Sequence, residues 1–327
     1  MLNRLIVIGA SAGGVEALKN VVNALPADLD AAVVIVLHLY PRSKSYLDEI
    51  LARSAKLPVT QSVDQMPLRA GTVYVAPPDF HILVGRDRVI LSRGPRENRH
   101  RPSINALFSS AAQEFGPDVI GVILTGSLDD GTAGLWEIKR AGGVAIVQDP
   151  EDALFPEMPQ SALAHVDVDF VVKLSQIAPL LATLVQSVPS QTHPSGFQEG
   201  AVAPNVDPES PFMHSKMTDF TCPECHGAIR EQRFGGVLQY ACRVGHTYTA
   251  KTMLESHVEA EENALWAAVV ALEEGADLFA KIASFVPGTR DEFERQAEIK
   301  RTHAKAVRYI IANISSGKSE QQLLTPQ

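Results

Sequence analysis

The length, composition and charge of the chain exclude several classes of protein. Its 327 residues suit one full-sized domain and a smaller one, and 45% hydrophobic with 20% charged residues is typical of chains that bury a core. The formal net charge of -9 argues against a nucleic-acid partner. The first apolar run, residues 5–8, is too short for a membrane span or a signal peptide, so we expect a cytoplasmic protein without membrane insertion.

The first 150 residues alternate strand patterns with helical patterns. Apolar runs rich in Val and Ile lie at residues 5–8, 32–37, 119–124 and 144–147. Helical patterns lie at residues 15–24, 45–54, 104–115 and 132–141. The apolar runs contain no alternating polar residues, which indicates strands buried on both faces. We therefore predict an α/β fold with an open, doubly wound, mostly parallel sheet.

Two later segments interrupt this alternation. Residues 59–92 indicate short strands and turns, and we expect an antiparallel edge there. Residues 186–217 are rich in Pro, Ser, Gly, Gln and Asn, which is typical of a linker. A Cys/His segment (218–250), a helical hairpin (251–316) and a tail (317–327) follow the linker.

Three polar residues follow three of the predicted strands. Ser11 lies just beyond the first strand, His38 directly follows the second, and Asp130 lies a short turn beyond the third. In an open parallel sheet, ligands and catalytic groups gather at the carboxyl ends of the strands. In a catalytic triad the imidazole is the base that activates the hydroxyl, and the carboxylate orients the imidazole. The spacing therefore predicts a catalytic triad of Ser11, His38 and Asp130.

The residues around Ser11 favour the role of nucleophile. Residues 9–13 form a G-x-S-x-G turn between a strand and a helix, in which the glycines permit a tight turn that exposes the serine oxygen. The helix that follows directs free N–H groups at an oxyanion. We predict that the backbone N–H groups of Ala12 and Ser127 bind that oxyanion.

Each residue of the triad also has a simpler interpretation. The glycine-rich residues 9–14 could cradle a phosphate, although position 11 does not fit the glycine spacing of a dinucleotide site. His38 alone is more often a hydrogen-bonded histidine at a strand end. Asp130, or equally Asp129, could cap the next helix. The joint placement of the three residues favours catalysis.

Several motifs occur in order along the first half of the chain. They are GASAGG at 9–14, VLH at 36–38, APPD at 76–79, NRHRPS at 98–103, LTGSLDDG at 124–131 and FPEMP at 155–159. They resemble the catalytic domain of the CheB family of chemotaxis methylesterases over residues 1–185. The resemblance implies nucleophile, base and orienting roles for Ser11, His38 and Asp130, and places Asn98, His100 and Arg101 beside the site. A polar loop packed for structure is the alternative for those last three residues.

The resemblance also implies a substrate. Members of the family demethylate glutamate methyl esters on methyl-accepting chemoreceptors, and many deamidate glutamines there. In this sequence the resemblance to the catalytic domain begins almost at Met1, so we expect no phosphorylated receiver domain to act as the switch. The family's Met-Gly-Asn before the acid is replaced by residues 127–129, Ser-Leu-Asp, which changes the surface of the pocket.

The cysteines and a histidine form a second cluster. Cys222 and Cys225 make a C-x-x-C pair, and Cys242 with His246 supplies a second pair. Four such ligands predict a structural, tetrahedral zinc site, whereas catalysis needs no cofactor. Reduced buried cysteines or a redox pair are alternatives, and His226 is a less suitable substitute for His246.

Three functions are consistent with these residues. The leading hypothesis is a serine methylesterase acting on chemoreceptors, in which the Cys/His segment and the helical hairpin dock a partner or regulate access to Ser11. A signalling scaffold that retains the esterase fold is the alternative, and a nucleotide-binding regulator is the third. The heptad-like spacing of the last helices leaves self-association open.

Overall fold

This computed structural model describes residues 2–38, 45–186, 215–234, 237–286 and 290–314. The chain forms two compact units, Met1–Met253 and Leu254–Gln327. No helix in the described ranges has the length and apolar character that crossing a membrane requires.

Among the described residues up to 186 there are nine strands, seven of which form one sheet. In chain order the strands are β1 (Leu5–Ala10), β2 (Ala32–Leu37), β3 (Val59–Gln61), β4 (Val73–Val75), β5 (His81–Val84), β6 (Val89–Ser92), β7 (Val119–Ile123), β8 (Val144–Gln148) and β9 (Phe170–Val172). The sheet has the order β3-β4-β2-β1-β7-β8-β9, and every neighbouring pair is parallel. β1 therefore lies in the middle, between β2 and β7.

Helices cover both faces of this sheet. They are α1 (Gly14–Ala24), α2 (Leu47–Ala52), α3 (Ile104–Phe115), α4 (Thr132–Arg140), α5 (Glu157–His165) and α6 (Leu174–Gln186). Successive residues of β1 point to opposite faces, so Leu5 and Val7 pack with α3, α4 and α5, whereas Ile6 and Ile8 pack with α1, α2 and α6. Both faces are buried, which is why the strands are continuously apolar. The predicted α/β, doubly wound, Rossmann-like fold class is confirmed.

The prediction for residues 59–92 was wrong in one respect. β3 and β4 extend the parallel sheet, with Val73 opposite Val33, and only β5 and β6 pair in antiparallel fashion, as a separate two-stranded sheet. Pro77 and Pro78 directly follow this part of the sheet. Because proline has no N–H to donate to a ladder, the chain leaves the parallel sheet there before the antiparallel pair begins.

Residues 215–249 form a small antiparallel sheet. Its strands, β10 (Lys216–Thr221), β11 (Ala228–Phe234), β12 (Val237–Cys242) and β13 (Thr247–Thr249), lie in sequence order. We call this segment the ribbon. Its buried core consists of few side chains, among them Ile229, Tyr248 and Met253. So small a core is typical of segments that need an additional cross-link or ligand for stability.

Two long helices follow the ribbon, α7 (Ala250–Ala283) and α8 (Arg290–Ile314). They run antiparallel, because Glu273 binds Arg308 at 2.9 Å while Phe279 contacts Phe293 with ring centroids 5.7 Å apart. The heptad-like spacing in α7 comes from Val258, Leu265, Leu272 and Phe279, but Val258 is 50% exposed. The buried positions repeat every seven residues along a neighbouring row and are mostly small: Val269, Ala276, Ala283, Ala297, Ala304 and Ile311.

The compact units differ from the predicted domain boundaries. The ribbon and the first residues of α7 belong to the same unit as the parallel sheet, and the division falls between Met253 and Leu254. The predicted linker falls almost entirely on residues 187–214, and the predicted tail on residues 315–327, both outside the described residues.

Candidate active site

Three polar side chains meet at the carboxyl edge of the parallel sheet. The chain turns to opposite sides of β1 at this edge, which makes it the topological switch point where open α/β sheets hold their ligands. Ser11 follows β1, His38 follows β2, and Asp130 lies in the turn beyond β7. The structure therefore brings together the three residues that the strand ends predicted.

These side chains form a hydrogen-bonded chain. Ser11 Oγ lies 3.1 Å from His38 Nδ1, and His38 Nε2 lies 2.8 Å from Asp130 Oδ2. The carboxylate keeps a proton on Nε2, so Nδ1 is free to accept the proton of the serine hydroxyl. Ser11 is half-buried, whereas the side chains of His38 and Asp130 are 5% and 2% exposed, so a substrate meets the serine first.

The two nitrogens of His38 have exchanged places relative to the chymotrypsin triad. In that triad Nε2 faces the serine and Nδ1 faces the aspartate. In this site Nδ1 faces Ser11 and Nε2 faces Asp130. The chemistry is preserved, because a neutral imidazole has one donor and one acceptor nitrogen in either tautomer.

Asp130 is buried among hydrogen-bond donors. Burial alone would raise its pKa, but the hydrogen bond and charge of His38, together with the Ile104 N–H, lower the pKa of Asp130 to about 2. The carboxylate lies at the N-terminus of α3, where free N–H groups and the helix dipole favour an anion. It is therefore ionised at any physiological pH. The donors other than His38 are Asn98 Nδ2 at 3.2 Å, Ser103 Oγ at 3.1 Å, Ile104 N at 2.7 Å and Asn105 N at 3.4 Å.

Asp130 does not cap the helix that follows it. The N-cap of α4 is Gly131, and no side chain caps that helix terminus. The carboxylate instead reaches across to α3, while Asn105 Oδ1 accepts the N–H groups of Gly131 and Gly134 at 3.0 and 2.8 Å. Residues of α3 thus hold both the carboxylate of Asp130 and the backbone that directly follows it.

Two titratable groups near the triad are uncharged. The ring of His100 stacks on His38 with centroids 3.6 Å apart and planes 8° from parallel. Burial and then the charge of His38 lower the pKa of His100 to about 3, so its ring is neutral. Burial and then the charge of Asp130 raise the pKa of Glu97 to about 8, so this carboxyl is mostly protonated at pH 7. Neither His100 nor Glu97 therefore carries a charge that would interfere with the interaction between His38 and Asp130.

Residues 125–127 are tied to the turn that carries Ser11. Ser11 N donates to Thr125 O at 3.0 Å, and Thr125 Oγ1 donates to Ala12 O at the same distance. For the backbone N–H groups of Ala12 and Ser127, no acceptor is found within the described part of the chain. Both N–H groups remain candidates for binding an oxyanion.

Two of the three residues predicted beside the site contact the triad. Asn98 donates to Asp130, and His100 stacks on His38. The guanidinium of Arg101 instead binds Asp79 Oδ1 at 2.6 Å and the carbonyl oxygen of Gly94 at 2.8 Å. Arg101 therefore fastens the loop that carries Asn98 and His100, and contact of any of the three with substrate stays a prediction.

Comparisons with known proteins agree with this geometry. The family model described as CheB methylesterase matches residues 6–181, more than half of the chain. The chain belongs to the CheB methylesterase family. It is an enzyme of the methylesterase class.

Relatives of this methylesterase extend the comparison. A Leptospira interrogans protein, named as a candidate protein-glutamate methylesterase/protein-glutamine glutaminase, is 41% identical over 56% of this chain and 95% of its own. The protein-glutamate methylesterase/protein-glutamine glutaminase 2 of Methanosarcina mazei is 36% identical over 57% of this chain and 53% of its own. The crystal structure of the Thermotoga maritima CheB methylesterase catalytic domain matches with a TM-score of 0.55 and 30% identity, covering 56% of this chain and 100% of that one.

The glycine-rich turn of this methylesterase is packed against side chains. A Cβ at Gly9 would collide with the side chain of Ile104, and one at Gly14 would lie 2.6 Å from Leu37 Cδ1. Close packing is sufficient to explain why glycine is needed at these two positions, so neither glycine by itself indicates a bound phosphate. The serine at position 11, which departs from the glycine spacing of a dinucleotide site, is what disfavours the nucleotide-binding interpretation.

The ribbon of this methylesterase carries the predicted Cys and His cluster. One ligand atom from each of Cys222, Cys225, Cys242 and His246 lies within 4.8 Å of the others, so the cluster could hold a metal ion. His226 is exposed on the ribbon and lies outside this cluster, although its N–H donates to the carbonyl oxygen of Cys222.

We predict that Gly126→Ala damages the turn that holds Ser11. The new Cβ would lie 2.8 Å from Ser11 Cβ and would collide with the sulfur of Met158. Overpacking of this kind costs about 1–3 kcal/mol of unfolding free energy and displaces the nucleophile. Urea unfolding and ester hydrolysis measure both effects. Gly85→Ala is the matched control, because its Cβ meets nothing closer than 3.5 Å; equal stability of the two variants would contradict the packing argument.

We also predict a pH dependence of stability from Asp130. Because folding lowers its pKa to about 2, its contribution is present above the ordinary pKa near 3.8 and is lost as the pH falls towards 2. The loss amounts to about 2 kcal/mol. Urea unfolding at pH 5 and pH 2.5 should show a larger decrease for the wild type than for Asp130→Asn. Asp28→Asn, at an exposed position, should follow the wild type; equal decreases in all three chains would contradict the assignment.

Proposed function

We propose that the protein hydrolyses glutamate methyl esters on methyl-accepting chemoreceptors in the cytoplasm, through an acyl-enzyme on Ser11. The observation that carries the proposal is the hydrogen-bonded chain from Ser11 Oγ through His38 to Asp130. The names of the Leptospira and Methanosarcina relatives supply the substrate class. The net charge of -9 favours a protein partner over nucleic acid.

In the first half of the reaction the ester is cleaved. Ser11 Oγ attacks the ester carbonyl carbon while its proton passes to His38 Nδ1, and the resulting imidazolium is stabilised by Asp130. The tetrahedral intermediate collapses, the bond to the methoxy oxygen breaks, and that oxygen takes the proton from His38. Methanol leaves, and the glutamyl group remains bound to Ser11 as an ester.

In the second half a water molecule replaces the alcohol. His38 Nδ1 takes a proton from the water as its oxygen attacks the acyl carbon, and then returns the proton to Ser11 Oγ. The product is a glutamate carboxylate. A glutamine side chain passes through the same acyl-enzyme and releases ammonia in place of methanol, so demethylation and deamidation require no separate set of residues.

The backbone supplies the oxyanion site of this proposal. The carbonyl oxygen gains negative charge as Ser11 attacks, and the N–H groups of Ala12 and Ser127 are the donors we assign to it. Ala12 directly follows the nucleophile, and Ser127 lies in the segment whose first residue accepts the Ser11 N–H. Both segments are thereby held in fixed relation before the substrate arrives.

Catalysis explains the triad better than a scaffold role does. A buried carboxylate and imidazole need several specific partners to offset the loss of solvation, and a pure binding surface gains nothing from that arrangement. The five donors around Asp130 are arranged so that the carboxylate stays ionised beside His38.

We predict that Ser11→Ala abolishes methanol release from methylated receptors. Without the hydroxyl no acyl-enzyme forms, so the turnover number falls by about 10⁴-fold or more. The measurement is methanol released from receptor-containing membranes whose receptors carry labelled methyl groups. Mass spectrometry of the receptors then identifies which glutamates lose a methyl group.

The matched control is Ser54→Ala, which removes a hydroxyl from an exposed residue after α2. This control should release methanol at the wild-type rate. Wild-type protein that leaves the methyl esters intact, or a Ser11→Ala chain as active as the Ser54→Ala chain, would contradict the proposed function.

We further propose that the ribbon cluster holds a structural zinc ion. In a tetrahedral zinc site with ordinary bond lengths, two sulfur ligands are about 3.8 Å apart, and a sulfur and a nitrogen ligand about 3.5 Å apart. Cys225 Sγ and Cys242 Sγ are 3.7 Å apart, and His246 Nδ1 lies 3.5 Å from Cys242 Sγ and 3.6 Å from Cys222 Sγ. The spacing of the ligand atoms therefore supports a closed site of three thiolates and one imidazole.

The surroundings of the cluster are suited to a metal. Glu224 Oε2 lies 3.5 Å from His246 Nε2, so a carboxylate orients the ring through the nitrogen that does not face the cluster. Tyr248 Oη lies 3.2 Å from Cys222 Sγ and donates to Glu224 at 3.1 Å. These contacts hold the ligands in position, while the ion would cross-link β10, β12 and their turns.

We predict that Cys225→Ser loses the metal and destabilises the ribbon. Purified wild-type protein should contain one zinc ion per chain by atomic emission spectrometry, and the variant far less than one. A chelator should lower the midpoint of thermal unfolding of the wild type but not of the variant. His226→Ala should retain the metal, because its ring lies outside the cluster; loss of zinc in His226→Ala with retention in Cys225→Ser would contradict the assignment.

A further inference from the structure

The last strand of the ribbon lies beside the loop that carries Asn98. Asn98 N donates to Thr247 O at 2.8 Å, and Thr249 N donates to Asn98 Oδ1 at 2.9 Å. Asn98 and Thr249 are each 2% exposed. The hydrogen bonds are thus shielded from water, and Asn98 is held through both its backbone and its side chain.

The side chain of Asn98 connects the ribbon to Asp130. Its Oδ1 accepts from the ribbon, and its Nδ2 donates to Asp130 Oδ1 at 3.2 Å. Its backbone has a φ of 48°, in the left-handed region. A non-glycine residue there carries a free-energy cost, which the surrounding contacts must offset. Thr247 and Thr249 supply two of those contacts.

The ribbon also binds the residue next to the triad acid. Thr249 Oγ1 and Thr252 Oγ1 lie 2.8 and 3.2 Å from Asp129 Oδ1 and donate to it. Thr249 directly precedes α7, and its hydroxyl accepts the Thr252 N–H at 3.3 Å, the geometry of a helix N-cap. Asp129 therefore lies at the N-terminus of α7, and burial raises its pKa although the hydrogen bonds from Thr249 and Thr252 act in the opposite direction.

Two consecutive carboxylates are thus held by the N-termini of two different helices. The N-terminus of α3, which packs on the parallel sheet, holds Asp130. The N-terminus of α7, which directly follows the ribbon, holds Asp129. Because the two residues share a peptide bond, movement of Asp129 tilts Asp130 and lengthens its contact with His38. We infer that Thr249 is a positioning residue of the esterase, acting on Asp130 through Asn98 and Asp129. The ribbon thereby completes the active site of its own chain.

This inference rests on the proposed function only in that it takes Ser11, His38 and Asp130 as the catalytic residues. A positioning residue that contacts no substrate should alter turnover and leave the Michaelis constant unchanged. Misplacement of a catalytic group costs on the order of 10- to 100-fold in rate. Loss of a helix cap alone would lower stability and leave the turnover of the folded fraction unchanged.

The test uses full-length Thr249→Val, Thr249→Ser and Thr218→Val. Thr218→Val is the matched control, since its hydroxyl bonds Ile229 O inside the ribbon and contacts no carboxylate. The substrates are methylated receptor and p-nitrophenyl acetate. The spectroscopic readout is the downfield proton resonance of the His38 Nε2–H, which reports the hydrogen bond to Asp130.

Thr249→Val should lower the turnover number by about 10- to 100-fold with an unchanged Michaelis constant, and should shift the His38 resonance upfield or broaden it. Thr249→Ser retains the hydroxyl and should restore both. Thr218→Val should behave as the wild type. Wild-type turnover and an unshifted resonance in folded Thr249→Val would overturn the inference.

A second variant covers the case in which Thr249→Val fails to fold. Asn98→Ala leaves the helix cap intact and breaks the bridge to Asp130, so it should lower turnover and shift the resonance in the same way. A folded Asn98→Ala chain with wild-type turnover and resonance would overturn the inference. If the wild type leaves methylated receptor intact, the proposed function fails, while p-nitrophenyl acetate hydrolysis and the His38 resonance still decide the role of Thr249.

Discussion

The burial of one ionised carboxylate governs the organisation of this protein. Asp130 remains charged inside the fold only because donors from α3, from Asn98 and from His38 converge on it. An unpaired buried charge would cost far more free energy than any single contact returns. The turn after β7, the N-terminus of α3 and the loop at residues 96–100 all contribute to meeting that requirement.

Much of the fold could be predicted because its signals are local. The strands β1, β2 and β7 are continuous apolar runs, and the residues after them are the polar ones that the sheet edge brings together. The sequence patterns did not predict α5, β9 or α6. Each is short or contains a proline, Pro159 in α5 and Pro179 in α6, and proline within a helical pattern normally argues for its end.

The remaining features of the site depend on contacts between distant parts of the chain. Asn98 binds Thr249, 151 positions away, and Asp129 binds Thr252, 123 positions away. Hydrophobic periodicity and turn chemistry carry no information about such pairs. The stacking of His100 on His38 was missed for the same reason, although the NRHRPS motif had directed attention to that loop. In α7 the buried Ala276 and Ala283 were missed, because the larger Leu and Phe residues of that helix give the stronger heptad signal.

The 151-residue separation between Asn98 and Thr249 bears on how the protein is made. A ribosome delivers the parallel sheet first, and the sheet has its own core and can fold while the ribbon is still being translated. During that interval the loop at residues 96–100 lacks its later partners, and closing so long a loop is slow compared with local contacts. If Thr249 positions Asp130 as we infer, nascent chains pass through a stage in which the sheet is folded but Asp130 is not yet fixed, and full hydrolytic activity requires synthesis of the C-terminal third.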